Sequence, residues 1–185
     1  MRWTMLLLFV VFISGCNDSP SANNNYNPPA GRVEIGLAQE AEAEGNYELA
    51  IELYTKAIEK NPEFGAAFTA RGWRHHAMNN DAAALSDLTE AIRLGAECYY
   101  FRAEVNQALG NIEEAKQDYE LAIDGFSEEI ADGEPDEGTY SGRATCYKHL
   151  GKYDLAIEDF KSALKISSDD AIKSEIEELE KLQSE

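Results

Sequence analysis

Apolar residues recur every three or four positions from Arg32 onward. This spacing places them on one face of a helix and predicts amphipathic helices. Gly45 interrupts the pattern, and Asn46 after it is suited to cap a second helix. The segment therefore predicts two helices joined by a tight turn, with apolar faces that include Val33, Leu37, Leu49, Ile51, Leu53, Tyr54 and Ile58.

The same pattern returns three more times along the chain. Gly45–Pro62 reads GNYELAIELYTKAIEKNP, and similar segments begin at Asn79, Gly110 and Gly151, at steps of 34, 31 and 41 residues. A repeat of about 34 residues with two helices is typical of stacked helical-hairpin proteins. We therefore predict an all-α protein of four hairpins. At the second turn, Asn79 replaces glycine, and asparagine is the side chain that best tolerates left-handed backbone.

Small and large residues occupy fixed positions around each turn. A small residue stands seven positions before the turn, alanine stands five and twelve after it, and a large residue stands nine after it. This arrangement resembles the tetratricopeptide repeat family, which implies an α-solenoid of about four hairpins with a C-terminal capping helix. Small residues let helix axes approach to about 8 Å. The expected packing positions are Ala38, Ala50, Ala57, Gly72, Ala84, Ala91, Ala103, Ala115, Ala122, Ala144, Ala156 and Ala163.

The predicted repeats lie within residues 32–170, at about 31–64, 65–95, 96–136 and 137–170. The third is lengthened by the insertion Gly125–Asp136, which predicts a longer helix end followed by a solvated turn. Its acids do not follow the spacing of an EF-hand loop, so we expect no calcium site there. They are Glu128, Glu129, Asp132, Glu134 and Asp136.

The segment 171–185 is predicted to be a capping helix, with Asp169 or Asp170 capping its start. Ile172, Ile176 and Leu179 form one apolar stripe along it. The last hairpin of a stack exposes an apolar face unless another element covers it. The alternative is a homo-oligomeric structural envelope protein that associates through this stripe.

The first 15 residues are typical of a targeting segment. Met1 and Arg2 precede an apolar run that is too short to span a bilayer. Ile13-Ser14-Gly15-Cys16 then resembles the lipobox of bacterial lipoproteins, which implies that the signal peptide 1–15 is removed and Cys16 is lipidated. A cut after Cys16, giving a soluble secreted protein, is the alternative. Residues 16–31 are predicted to be a flexible Asn/Pro-rich linker.

The lipobox resemblance implies a bacterial cell-envelope location and anchoring through the lipid alone. Among enterobacterial lipoproteins, an aspartate directly after the lipidated cysteine favours the inner membrane. This chain has Asn17 there, so the resemblance favours the outer membrane.

In the tetratricopeptide repeat family the first helix of each hairpin lines a concave groove that binds polypeptides. Positions ten, six and three before each turn share one helix face. Trp73 and Tyr100 are candidate binding anchors, although either ring is also able to pack against a neighbouring repeat. The candidate groove residues are Gln39, Glu42, Trp73, His76, Tyr100, Glu104, Gln107, Thr145 and Lys148, with Ile35, Thr69 and Ser141 at the remaining positions.

The acidic composition limits the kind of partner. Thirty-five acidic residues against sixteen basic ones give a formal net charge of −19, which opposes binding to nucleic acid or anionic lipid. Some family members grip a C-terminal carboxylate with basic residues and asparagines. This groove lacks that set of clamp residues, and Glu42 and Glu104 would repel such a group. We therefore expect a neutral or basic polypeptide partner, with envelope assembly as a fitting role.

Three arginines, Arg71, Arg102 and Arg143, precede the small residues of the later repeats. We expect their stems to lie along the packing surface, with their charged heads in water.

Catalysis and metal binding find little support in the sequence. His75 and His76 are adjacent, so on a helix they point about 100° apart and cannot chelate one metal together. No phosphate loop or nucleophile elbow is recognisable, so we expect a non-enzymatic protein with no cofactor. An enzyme accessory with a small-molecule site is a weaker alternative. The offset of Cys98 from Cys146 predicts two buried free thiols.

Overall fold

A computed structural model describes residues 30–133 and 135–184; Cys16 and the rest of the N-terminal segment lie outside the described residues. All regular structure within these two ranges is α-helical, which confirms the predicted all-α class. The helices are α1 (Arg32–Ala43), α2 (Tyr47–Lys60), α3 (Gly65–Ala77), α4 (Asp81–Arg93), α5 (Tyr99–Leu109), α6 (Ile112–Asp132), α7 (Glu137–His149), α8 (Tyr153–Ile166) and α9 (Asp170–Leu182).

The contacts divide the described chain into two compact units, with the division between Ala122 and Ile123 inside α6. In the N-terminal unit (residues 30–122), α1 packs on α2 and α3 on α4, and α2 and α4 each contact the next hairpin. In the C-terminal unit (residues 123–184), α7 packs on α8 and α8 on α9. Each unit therefore has its own core of packed antiparallel helices.

Each predicted turn contains one residue with left-handed backbone. The φ angles are 76° at Gly45, 60° at Asn79, 81° at Gly110 and 70° at Gly151. At the first turn, Asn46 Oδ1 accepts a hydrogen bond of 3.2 Å from the backbone N–H of Leu49. The turn residues inferred from the sequence pattern are confirmed.

The small residues at the fixed repeat positions all lie inside the structure. Every one of the twelve is buried, from Ala38 to Ala163. The large residues nine positions after the turns fill the space beside them and are buried as well: Tyr54, Leu88, Tyr119 and Phe160. At Gly72 an added Cβ would lie 3.0 Å from Leu88 and 3.1 Å from Asp87. An alanine at position 72 would therefore require its neighbours to shift by a few tenths of an ångström.

Leucine at Ala50 or Ala156 is expected to lower the free energy of unfolding by about 1–3 kcal/mol, because neither site has room for three more carbons. Urea denaturation followed by circular dichroism measures this change. Ala108→Leu is the matched control, since Ala108 is exposed on α5 and its substitution should have little effect. Unchanged midpoints for both buried variants would contradict the repeat register.

The insertion in the third repeat lengthens a helix, as predicted. α6 runs for 21 residues, and Gly133 follows it with a φ of 96°. Two acids of the insertion hold the start of α7: Asp136 accepts from the backbone N–H of Thr139, and Glu129 accepts from the Thr139 hydroxyl at 2.9 Å. Glu134 lies outside the described residues. These two carboxylates have structural partners within the C-terminal unit.

The C-terminal helix covers the last hairpin. Asp169 caps α9 by accepting from the backbone N–H of Ala171. The predicted stripe of Ile172, Ile176 and Leu179 is buried in one cluster with the alanines and aromatic residue of α8. The burial of this stripe against α8 is what the capping interpretation expects, and the homo-oligomer alternative stays a prediction.

The expectation that three arginine heads lie in water is wrong. Each guanidinium forms two hydrogen bonds to an aspartate on the second helix of its own hairpin, at 2.6–2.9 Å. The aspartates are buried and the arginine side chains are about four-fifths buried. Aspartate raises the pKa of Arg102 and Arg143 against the opposing effect of burial. The pairs are Arg71–Asp87, Arg102–Asp118 and Arg143–Asp159.

Cys98 and Cys146 are both buried, one in each unit. Cys98 Sγ donates to the backbone carbonyl of Leu88 at 3.7 Å, and burial raises the pKa of its thiol. The predicted burial of both thiols is confirmed.

Candidate functional site

Aromatic side chains from α3 and α5 come together in the N-terminal unit. The Trp73 ring lies 4.9 Å from Phe101 and 5.3 Å from His76, measured between ring centroids. Tyr100 contacts Phe101 edge-on at 5.6 Å. All four side chains are half-buried. Trp73 and Tyr100 therefore pack against the next ring and also present part of their surface to solvent. We call Trp73, His76, Tyr100 and Phe101 the aromatic cluster.

His76 is held by an acid at the start of the following helix. Its Nδ1 lies 2.6 Å from Asp81 Oδ1, and each of these side chains is about one-fifth exposed. The contact is local, because it joins the last turn of α3 to the first turn of α4. The His76 ring is thereby oriented beside Trp73, and its polar edge is engaged within the protein.

Glu42 also has a partner within the protein. Arg74 Nε donates to Glu42 Oε1 at 2.8 Å, both side chains are almost fully buried, and the Arg74 guanidinium lies over the Tyr47 ring at 4.9 Å. The expectation that Glu42 repels an incoming carboxylate therefore needs correction, because Arg74 neutralises it.

Tyr54 lies close to the Glu42–Arg74 pair. Burial first, and then the Glu42 charge, raise the pKa of its hydroxyl, which makes no hydrogen bond of good geometry.

Glu104 and Gln107 share one partner on α6. The Tyr119 hydroxyl lies 2.6 Å from Glu104 Oε1 and 2.8 Å from Gln107 Oε1, and it donates to one of them at a time. Glu104 is half-buried and Gln107 is exposed. Gln39, on α1, is exposed as well. These residues add a polar surface to the N-terminal unit that carries the aromatic cluster.

Thr145 and Lys148, the remaining candidates, belong to the C-terminal unit. The Thr145 hydroxyl donates to the backbone carbonyl of Ser141 one helical turn earlier. Lys148 Nζ pairs with Glu175 of the capping helix. Both side chains are therefore engaged within α7 or between α7 and α9.

Sequence reasoning missed three residues that shape the site. Phe101 links Trp73 to Tyr100, Arg74 neutralises Glu42, and Tyr119 holds Glu104. A signal existed for Tyr119, which stands at the large-residue position of its repeat. For Phe101 and Arg74 the sequence offered none, since both contacts join different hairpins.

The described residues contain no group of three or more His, Cys, Asp and Glu side chains placed to hold a metal ion. Burial lowers the pKa of His75, which adjoins His76 on α3. Between residues 30 and 184, leaving out 134, no helix is both long and apolar enough to cross a bilayer. The aromatic cluster on α3 and α5 provides an apolar contact area with hydrogen-bonding groups beside it.

Left-handed turns, buried small residues and paired antiparallel helices together define a helical-repeat protein. Tetratricopeptide repeat profiles match residues 35–97, 96–124 and 139–170, and the chain belongs to the tetratricopeptide repeat family. Repeats of this family are protein–protein interaction modules.

Curated relatives share the repeat region only. The chain is 34% identical over 106 residues to human serine/threonine-protein phosphatase 5, a match that covers 52% of this chain and 21% of the phosphatase. It is 28% identical over 147 residues to human tetratricopeptide repeat protein 13, covering 75% of this chain and 16% of that protein. The chain thus matches about a fifth or less of the length of these relatives.

Solved structures agree with the fold. MamA (residues 41 to the end) from Desulfovibrio magneticus RS-1 superposes with a TM-score of 0.60 at 11% identity, covering 85% of this chain and 87% of that one. The Cut9-Hcn1 hetero-tetramer of the APC/C gives a TM-score of 0.54 at 18% identity, with coverages of 85% and 38%. At these identities the likeness concerns the fold alone. It confirms the predicted class of tetratricopeptide solenoid.

Proposed function

We propose that this chain is a non-catalytic adaptor, anchored to a bacterial membrane by a lipid on Cys16, that binds a polypeptide partner through the aromatic cluster on α3 and α5. The observation that carries the binding part is the contact of Trp73 with Phe101 and of Tyr100 with Phe101. These contacts hold the rings in place before a partner arrives, so binding costs little side-chain entropy.

The chemistry of the cluster suits a peptide. Trp, Tyr and Phe supply large apolar contact areas, and such residues dominate the energy of many interfaces. Gln39 and Gln107 stand exposed in the same unit, and their amides are able to hydrogen-bond the backbone of an extended segment. The family's role in protein–protein interaction supports the same class of ligand.

The charge distribution favours a neutral or basic segment. Arg74 neutralises Glu42, but Glu104 remains as an acid beside the cluster and the chain carries a net charge of −19. A partner with lysine or arginine near its apolar anchor would gain from this field, whereas an acidic tail would be repelled.

The anchoring part of the proposal rests on the sequence around Cys16. Its lipobox resemblance and the Asn/Pro-rich stretch up to Gly31 suit a domain tethered outside a membrane, with Asn17 favouring the outer one. Several acyl chains on one residue give stable attachment. An interaction module at that location fits a role in assembling envelope proteins.

Photo-crosslinking in cells tests the binding surface. Benzoylphenylalanine in place of Trp73 or Tyr100 should capture the same polypeptide, and Trp73→Ala should reduce capture from position 100 by about tenfold, since a central aromatic is worth about 1.4 kcal/mol or more. Leu49, exposed on α2 of the same unit, is the control position. Capture at Leu49 but at neither aromatic position would refute the proposal.

Cys16→Ser tests the anchor in the same cells. The Cys16→Ser variant should fractionate with soluble proteins, while the unaltered protein should remain with membranes and carry the added mass of a lipid. Equal membrane fractions for both would exclude anchoring through Cys16. The crosslinking experiment would still test the binding surface independently.

A further inference from the structure

The first helix of each later hairpin turns one face toward the hairpin before it. This face consists of the positions twelve, nine, eight and five before the turn. In the second hairpin these positions contact α1 and α2: Ala70 packs in one cluster with Tyr54, Arg71 Nη1 donates to Thr55 Oγ1 at 3.0 Å, and Arg74 pairs with Glu42. The third hairpin repeats this arrangement, since Cys98 and Val105 are buried against α4 residues.

On α1 the same four positions are Val33, Gly36, Leu37 and Glu40, which we call the first-hairpin face. The Val33 side chain is 56% exposed and that of Leu37 is 45% exposed, and Glu40 is exposed. A Cβ built on Gly36 would have no neighbour within 4 Å. No residue between 30 and 184 that the structure describes covers this face.

The composition of the first-hairpin face differs from that of its counterparts. Leu37 stands where the later hairpins have arginine, and Leu53 stands where they have the aspartate that pairs with it. The first hairpin thus has two leucines at the positions where the later hairpins have a buried ion pair. Val33 and Leu37 thus lie exposed at positions whose equivalents in the second hairpin pack against the hairpin before them.

We propose that the first-hairpin face binds an amphipathic, basic helix from another protein, which takes the place of a preceding hairpin. Its bulky apolar residue would lie against Gly36, as Tyr54 lies against Ala70 in the next interface. Its lysine or arginine would pair with Glu40, as Arg74 pairs with Glu42 one repeat later with the charges exchanged. The docking surface therefore continues the interface that already joins the hairpins.

Charge and composition argue against two other occupants. A second copy would bring two Glu40 carboxylates and two acidic chains together, and like charges facing each other across an interface are unfavourable. The preceding residues 17–29 contain three prolines and a single bulky apolar residue, Tyr26. A segment with three prolines and one bulky apolar residue cannot form an amphipathic helix with an apolar face.

Fluorescence anisotropy with two synthetic peptides tests the proposal on the full chain. Each peptide has about 16 residues, enough for appreciable helix, with leucines on one face and either lysines or glutamates beside them. The lysine peptide should bind, and Leu37→Asp should weaken it by about tenfold or more. Glu40→Lys should weaken the lysine peptide by about threefold and strengthen the glutamate peptide.

Matched variants separate this face from the general acidity of the chain. Leu155→Asp changes a leucine with 43% exposure in the C-terminal unit, and Glu114→Lys removes an exposed acid on α6; both should leave binding unchanged. Equal losses in these controls, or no loss in Leu37→Asp, would overturn the proposal.

Benzoylphenylalanine at position 37 identifies the occupant directly. An adduct with the lysine peptide supports the proposal. An adduct of twice the chain's mass would assign the face to a second copy, and one that maps to residues 16–29 would assign it to the chain's own N-terminal segment. Either result would refute binding of a partner helix.

Discussion

Asp159→Leu is expected to lower the free energy of unfolding by about 2–3 kcal/mol. The substitution leaves the Arg143 guanidinium, which is about four-fifths buried, without the carboxylate that accepts its two hydrogen bonds at 2.7 and 2.8 Å. A buried charge without its partner is strongly destabilising. The Ser127 hydroxyl, 3.0 Å from Arg143 Nη1, cannot replace a negative charge.

The double variant Arg143→Leu/Asp159→Leu should recover most of this loss, to within about 1 kcal/mol of the unaltered protein. An apolar pair often replaces a buried ion pair at little cost, because desolvation of two charges nearly cancels their attraction. The first hairpin already has leucines, Leu37 and Leu53, at these two positions.

Urea denaturation of the two single variants, the double variant and the unaltered chain provides the double-mutant cycle. Arg143→Leu should be less destabilising than Asp159→Leu, because removal of the large arginine side chain lets water reach the Asp159 carboxylate. Additive losses would mean that the two side chains do not act as a pair. In that case the Arg143–Asp159 contact would be incidental to the stability of its hairpin.

These ion pairs show where sequence reasoning reached its limit. Each arginine stands eight positions before its turn and each aspartate eight after it, in three of the four hairpins. The recurrence was readable, but a separation of 16 residues says nothing about contact until the crossing of the two helices is known. The turn residues and the buried alanines were predictable because local backbone conformation and small size determine them.

The candidate site was predictable in part, for a related reason. The face that carries Trp73 and Tyr100 follows from helical spacing. The residue three positions before each turn lies in the last turn of its helix, close to the next helix or the next hairpin. His76 accordingly contacts Asp81, and Glu42 contacts Arg74. Both partners lie outside the helix that the spacing argument considered, so the sequence could not indicate that these groups were already engaged.

Leu179→Ala is expected to lower the free energy of unfolding by about 3 kcal/mol. Leu179 is fully buried in the cluster that joins α9 to α8, and a leucine-to-alanine change at such a site loses transfer energy and leaves a cavity. Thermal or urea denaturation measures the loss. Leu182→Ala, three residues later on the same helix and about half exposed, should change stability by less than about 1 kcal/mol.

Deletion of α9 tests whether this helix acts as a cap on the last hairpin. A chain that ends at Ser168 should expose Ile157 and Phe160, which α9 now covers, and uncovered apolar faces at the end of a repeat stack promote association. Its mass measured by size exclusion with light scattering should therefore rise with concentration more than that of the full chain. If the full chain associates and the shortened chain does not, α9 mediates the association and the capping explanation fails.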